Sequence, residues 1–266
     1  MMNKGGQLTI FIIVGILIVV GIALFFFLST DLGKEIIGRG ETNPETFLKS
    51  CIEDKTKESV FILSEQGGYI ENPLNISFMF EGEGVYKEIS YLCYNEFVPG
   101  VCLVLEGDLK GHLESEIKTY IEKDVITCFD ELIRKKEKEA DNVRVRYEEG
   151  DFEVDLESGK IIIDINGELD LTKSGESFIL QDFKIIITSG FYELQEVVQQ
   201  ILSDLVTGQC DISNAGDYSN PKVKVNPYLE ITQTKENNID YISFYTLVHK
   251  ETGERFRFAV KNCVPY

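Results

Sequence analysis

The side chains with the most chemistry to offer in this 266-residue chain are six cysteines: Cys51, Cys93, Cys102, Cys128, Cys210 and Cys263. There is no C-x-x-C pair, and His112 and His249 are the only histidines. A zinc centre needs clustered thiolates and imidazoles, so this pattern lacks the ligands for one. An even number of well-spaced cysteines is instead the pattern of a disulfide framework, which persists in an oxidising compartment. Cys93 and Cys102 flank a segment containing Pro99-Gly100, a strong turn signal, so a bridge between them would close a small loop. Cys51 and Cys128 each fall on the apolar stripe of an expected helix, and a bridge between them would staple the two helices. Cys210 and Cys263 pair by elimination.

Other reactive groups form no catalytic pattern. The motifs G-x-S-x-G, H-E-x-x-H, the phosphate-binding loop and G-x-G-x-x-G are all missing. His112 at the start of a helix and His249 at the end of a strand read as surface histidines. Asp151, Glu153, Asp155 and Glu157 alternate with apolar residues, as on the solvated face of a strand, and miss the glycine-shaped calcium loop. With 45 acidic residues, a chance pair of facing carboxylates says little about glycoside hydrolysis. The expectation is therefore no enzyme, no cofactor and no metal, with an anchored hydrolase as the remotest alternative. Asn75-Ile76-Ser77 is the one N-x-[ST] sequon, a glycosylation candidate if the chain is exported. The net charge of −19 repels nucleic acid and anionic lipid headgroups alike.

These residues follow a very different opening. Leu8–Leu28 is a run of 21 residues without a charge, long enough for one membrane-spanning helix. Residues 1–7 form a short head whose only charge is Lys4, which the positive-inside rule keeps in the cytoplasm. Everything beyond the span then lies outside the cell membrane, in agreement with the cysteines. The head itself, Lys4-Gly5-Gly6-Gln7-Leu8-Thr9-Ile10-Phe11, resembles the class III signal of archaeal type IV pilin-like proteins. That resemblance implies cleavage between Gly6 and Gln7 by a prepilin peptidase. It also implies retention of the apolar helix, which would pack against like subunits in a filament. Many such proteins carry Glu at the fifth mature position, where this chain has Phe11, and the departure bears on assembly more than on processing. The expected function is a pilin-like, membrane-anchored cell-surface subunit for filament assembly or adhesion. The alternative is an anchored receptor or binding domain that never polymerises.

Residues 29–42 read as a juxtamembrane linker. Asn43 and Pro44 open a helix over 44–66 that stops at Gly67-Gly68. Strands are expected near 76–80 and 85–92, and a second amphipathic helix over 112–137. Residues 142–189 read as an antiparallel meander. A turn at Gly150 places Arg146 opposite Glu153 and Arg144 opposite Asp155. Further turns are expected at 157–160 and at Asn166-Gly167. A third helix over 190–206, a polar loop over 211–226, and strands near 227–234, 239–249 and 254–261 complete the chain. The fold class is α+β, with antiparallel sheet and about three packing helices over 43–266, which two units, 43–140 and 141–266, would also satisfy. This order, with Gln66-Gly67-Gly68-Tyr69-Ile70 and the Cys-flanked turn between the first two helices, resembles uncharacterised anchored surface proteins of small-genome archaea.

Overall fold

The computed structural model describes residues 43–96, 102–207, 229–235 and 242–261. The head with Gly6 and Gln7, the apolar run, the linker, Cys210 and Cys263 lie outside the described residues. Among the described residues no helix is long and apolar enough to cross a membrane.

The described residues form three helices and nine strands in the order α1 (Pro44–Gln66), β1 (Asn75–Phe78), β2 (Lys87–Tyr94), β3 (Leu103–Val104), α2 (Leu109–Glu139), β4 (Asn142–Glu157), β5 (Lys160–Lys173), β6 (Glu176–Thr188), α3 (Phe191–Val206), β7 (Leu229–Lys235), β8 (Ile242–His249) and β9 (Arg255–Lys261). The mixed α+β class follows directly from this order. One sheet runs β1-β2-β9-β8-β7, with β3 added to β2, and the other runs β4-β5-β6.

Local chemistry explains the helix limits. The Gly68 N–H donates to the Leu63 carbonyl at 2.8 Å, and both Gly67 and Gly68 have positive φ, which closes α1 as a Schellman turn. A Cβ on Gly67 would also come within 2.9 Å of the Ser90 carbonyl oxygen. α2 begins at Leu109, earlier than periodicity suggests, because the Asp108 carboxylate accepts from the Gly111 N–H at 3.1 Å and caps the first turn. On α2 the residues Leu113, Ile117, Ile121, Val125, Phe129 and Leu132 recur every three or four positions and are all buried. They share one core with Leu48, Ile52 and Leu63 of α1, the inward face of β5, and Leu194, Val198 and Leu202 of α3.

The meander departs from expectation at two places. Residues 142–157 form one long strand with no turn at Gly150, so Arg146 faces Glu168 and Arg144 faces Asp170, while Glu153 faces Asp164 and Asp155 faces Ile162. The register breaks between Tyr147 and Phe152, and the extra residues bulge out of β4 without reversing the chain. Asn166-Gly167 likewise makes no hairpin but lies inside β5, where Tyr147 pairs with Gly167. Gly167 is there for space: a Cβ would come within 2.9 Å of Phe129 Cζ. The actual β5–β6 turn uses Ser174 and Gly175, both at positive φ, the geometry of a type I′ hairpin. A further difference is that β2 pairs parallel to β9, whereas antiparallel pairing was expected throughout. The long stretch of chain between these strands, which includes α2, the β4-β5-β6 sheet and α3, makes a parallel crossover possible.

Both foreseen bridges within the described residues form. Cys51–Cys128 joins α1 to α2 with a Cα separation of 6.0 Å, and Cys93–Cys102 joins β2 to the start of β3 at 5.4 Å.

Candidate functional site

The C-terminal half of α1 brings Lys57, Phe61 and Ser64 to one side of the helix at spacings of four and three residues. Opposite it stand Ile161 at the start of β5, Ile187 and Thr188 at the end of β6, and the β8–β9 turn with Thr252, Gly253 and Glu254. Between them lies an open cleft of about 630 Å³, within the size range of small-molecule sites. Phe61 is 59% exposed along its wall, and Arg255 borders it.

Arg255 belongs to an ion-pair cluster that continues into the protein. Glu65, at the buried end of α1, accepts from Lys87, from Arg255 Nε, and from Arg257 Nη1 at 3.1 Å. Glu83, on the segment between β1 and β2, accepts from Arg257 Nη1 at 3.1 Å and Nη2, and from Arg255 Nη1 at 3.4 Å. The hydrogen bond from Arg257 is the main reason the Glu83 carboxyl is held below the usual carboxylate range; partial burial opposes it, and the charges of Arg257, Lys87 and Arg255 add to it. The Arg257 guanidinium also lies 4.0 Å from the centroid of the Phe80 ring. Three cations against two carboxylates tie α1, the β1–β2 connection and β9 together. Removing one partner from such a buried group is costly because the others are left uncompensated.

The other rim of the cleft brings Ser189, His249 and Glu254 into one corner, a trio that invites comparison with a nucleophile and its base. The hydrogen bonds give it another use. Ser189 Oγ donates to Glu254 Oε1 at 2.6 Å and accepts from the Phe191 N–H at 3.1 Å. The Gly190 N–H donates to Glu254 Oε2. The Glu254 carboxylate therefore sits on the first turn of α3, where free N–H groups and the helix dipole favour an anion. His249 Nδ1 accepts from the Thr252 N–H at 3.2 Å, so the turn, not the serine, occupies that nitrogen. This corner builds a helix cap and a tight turn; its serine hydroxyl donates to a carboxylate and not to an imidazole.

Both histidines are less exposed than expected. His249 is buried, packed so closely on Gly190 that a Cβ there would lie 2.7 Å from its ring. His112 Nε2 donates to the Gly68 carbonyl at 2.8 Å, and its ring lies 4.6 Å from that of Tyr69. Tyr69 in turn donates to Glu106 at 2.7 Å; burial, and then the Glu106 carboxylate, push its hydroxyl well above the ordinary tyrosine range. Position at an element's end suggested exposure, but loops fold back over both rings. Asp151, Glu153, Asp155 and Glu157 are all exposed, and no group of ligands suited to a metal occurs among the described residues. Asn75 is exposed at the start of β1, and its side-chain amide makes only a long 3.4 Å bond to the Asn72 carbonyl.

No protein-family model matches the chain, and neither a curated protein nor a solved structure does.

Proposed function

We propose that the chain is a pilin-like, membrane-anchored cell-surface subunit that presents a disulfide-stapled α+β domain outside the membrane, for filament assembly or adhesion. The observation that carries this reading is the pair of bridges, Cys51–Cys128 and Cys93–Cys102, in a domain preceded by 21 uncharged residues. Disulfides belong to oxidising space, and the apolar run supplies the anchor. The Lys4-Gly5-Gly6-Gln7 head supports trimming before Gln7 and insertion by the pilin route, which would bring in a prepilin peptidase, the bilayer and like subunits as partners.

A second reading, an anchored binding domain that does not polymerise, is favoured by Phe11 in place of the usual acid and by the open cleft beside α1. Intact mass of the protein purified from its native membrane, with and without reduction, tests the first reading. A mature chain starting at Gln7 supports prepilin-type processing. A chain that retains Met1–Gly6 ends the pilin reading and leaves the anchored binding domain. Cysteines found reduced would overturn the extracytoplasmic location in both.

A further inference from the structure

The outer edge of the β1-β2-β9-β8-β7 sheet carries an unusual line of side chains. β1 and β3 lie end to end along the same side of β2: Phe78 pairs with Lys87, Asn75 with Ser90 and Leu103 with Tyr94. Between them the Tyr91 N–H donates to the Leu74 carbonyl, and the Leu105 N–H to that of Leu92. Among the described residues no strand pairs with the far side of β1 or β3. Exposed apolar side chains follow one another along this edge: Leu103 and Leu105 at one end, Leu74 in the middle, and Met79 at the other, where Val85 and Tyr86 of the β1–β2 connection adjoin it. Of the twelve large apolar side chains that are exposed among the described residues, four (Leu74, Met79, Leu103 and Leu105) stand along this line and two more (Val85 and Tyr86) in the adjoining β1–β2 connection.

An open, apolar strand edge is a template for unwanted pairing, and proteins blunt it with charges, bulges or cover. The strands at the other three sheet edges all carry charged residues. β4 carries Arg144, Arg146, Glu153 and Asp155; β6 carries Glu176 and Lys184, with Asp182 at positive φ, beside the exposed Phe178, Ile179 and Ile186; β7 carries Glu230. β1 and β3 have no charged residue at all: Asn75-Ile76-Ser77-Phe78 and Leu103-Val104. The sole sequon of the chain lies on this edge, with Asn75 and Ser77 both exposed; the Ser77 hydroxyl donates to the Glu88 carboxylate of β2.

We propose that Asn75 is N-glycosylated and that the sugar covers this edge. Asn75 is four strand residues from Met79 on one side and four register positions from Leu103 on the other, about 13 Å each way at 3.3 Å per residue. A glycan anchored at the centre reaches both ends. The donor is a polyprenyl phosphate- or pyrophosphate-linked oligosaccharide, handled by a membrane transferase. Asn75 Nδ2 forms a bond to the anomeric carbon. The bond from that carbon to the phosphate oxygen breaks, and the lipid phosphate leaves with the electron pair. Nδ2 gives one proton to a base of the transferase. The inference rests on the extracytoplasmic reading proposed above.

The test is peptide mapping of the full chain isolated from its native membrane, non-reduced, read at the tryptic peptide Glu58–Lys87, at the peptide pair linked by Cys51–Cys128, and at Glu88–Lys110, which holds both Cys93 and Cys102. The expected result is a Glu58–Lys87 peptide heavier by a series of hexose-type increments. The increments should be lost in Asn75→Gln and Ser77→Ala and retained in Ser77→Thr. Asn75→Gln should self-associate in cross-linking, and Asn75→Lys, which restores a charge to the edge, should not. An unmodified peptide in a chain whose cysteines are bridged overturns the glycan and leaves the location standing. An unmodified peptide with reduced cysteines overturns both. A glycosylated peptide with an Asn75→Gln chain that stays as dispersed as wild type overturns the covering role.

Discussion

Removing the two bridges one at a time separates chain entropy from local packing. In the chain-entropy model a crosslink removes about 2.1 + 1.5R ln n cal/mol/K from the unfolded ensemble, with n the loop length. Cys51–Cys128 closes a separation of 77 residues, which gives about 15 cal/mol/K, or about 4.5 kcal/mol at 25 °C. Cys93–Cys102 closes 9, which gives about 2.6 kcal/mol. The paired substitutions Cys51→Ala with Cys128→Ala, and Cys93→Ala with Cys102→Ala, leave no stray thiol at either site. For a chain of this size each kcal/mol moves the melting temperature by roughly 2–4 °C, so the expected losses are about 9–18 °C and about 5–10 °C. Calorimetry of the full chain in a mild detergent, without reductant, reads both. Packing works against the difference, because Cys93 and Cys102 are fully buried while Cys51 is half-buried, so truncating the short-loop pair leaves the larger void. The long-loop variant should still be the less stable. If the short-loop variant melts at the same temperature or lower, the loop-closure argument fails and the bridges act mainly through native packing.

Two further perturbations probe the interior. Because its folded carboxyl is held low, Glu83 contributes stability that is complete above its ordinary titration range and fades as pH falls through the depressed value. Glu83→Gln should cost about 1.5 kcal/mol near neutrality, at the low end for a charged hydrogen bond since the side chain is partly exposed. It should also flatten the acid side of a melting temperature against pH curve; an unchanged acid limb would refute the assignment. Gly167→Ala should cost about 1–3 kcal/mol in urea unfolding, because the Phe129 ring that its Cβ would strike is wedged between Tyr147 at 4.2 Å and Phe183 at 5.4 Å between ring centroids. Full stability in that variant would mean that the ring has room to move.

Much of this protein is legible without its structure, for reasons local to the chain. Helical periodicity with a double-glycine stop defines α1 to its last residue, and the spacing of apolar residues places Cys51 and Cys128 on inward faces. Cys93 and Cys102 are near neighbours across a turn. All of these depend on interactions within a few residues, or on two amphipathic faces that have only one core to meet. The apolar opening is likewise a property of composition alone.

Tertiary structure decided what local signals could not. Asn166-Gly167 reads as a turn because those residues tolerate one, yet the glycine serves a ring from α2, so the hairpin rule named the right residue for the wrong reason. Gly150 broke a register and not a strand, since the pairing partner lies downstream in β5. Arg144 and Arg146 alternate against whichever strand is adjacent, and alternation carries no address. The Glu65–Glu83–Lys87–Arg255–Arg257 cluster joins residues up to 192 positions apart. No spacing rule connects α1 to β9. The same holds for the cleft, for the burial of His249 against Gly190, and for the end-to-end placement of β1 and β3 that sets Asn75 at the centre of an uncharged edge. Such features depend on which elements meet, and that is settled by burying the apolar faces of all of them at once.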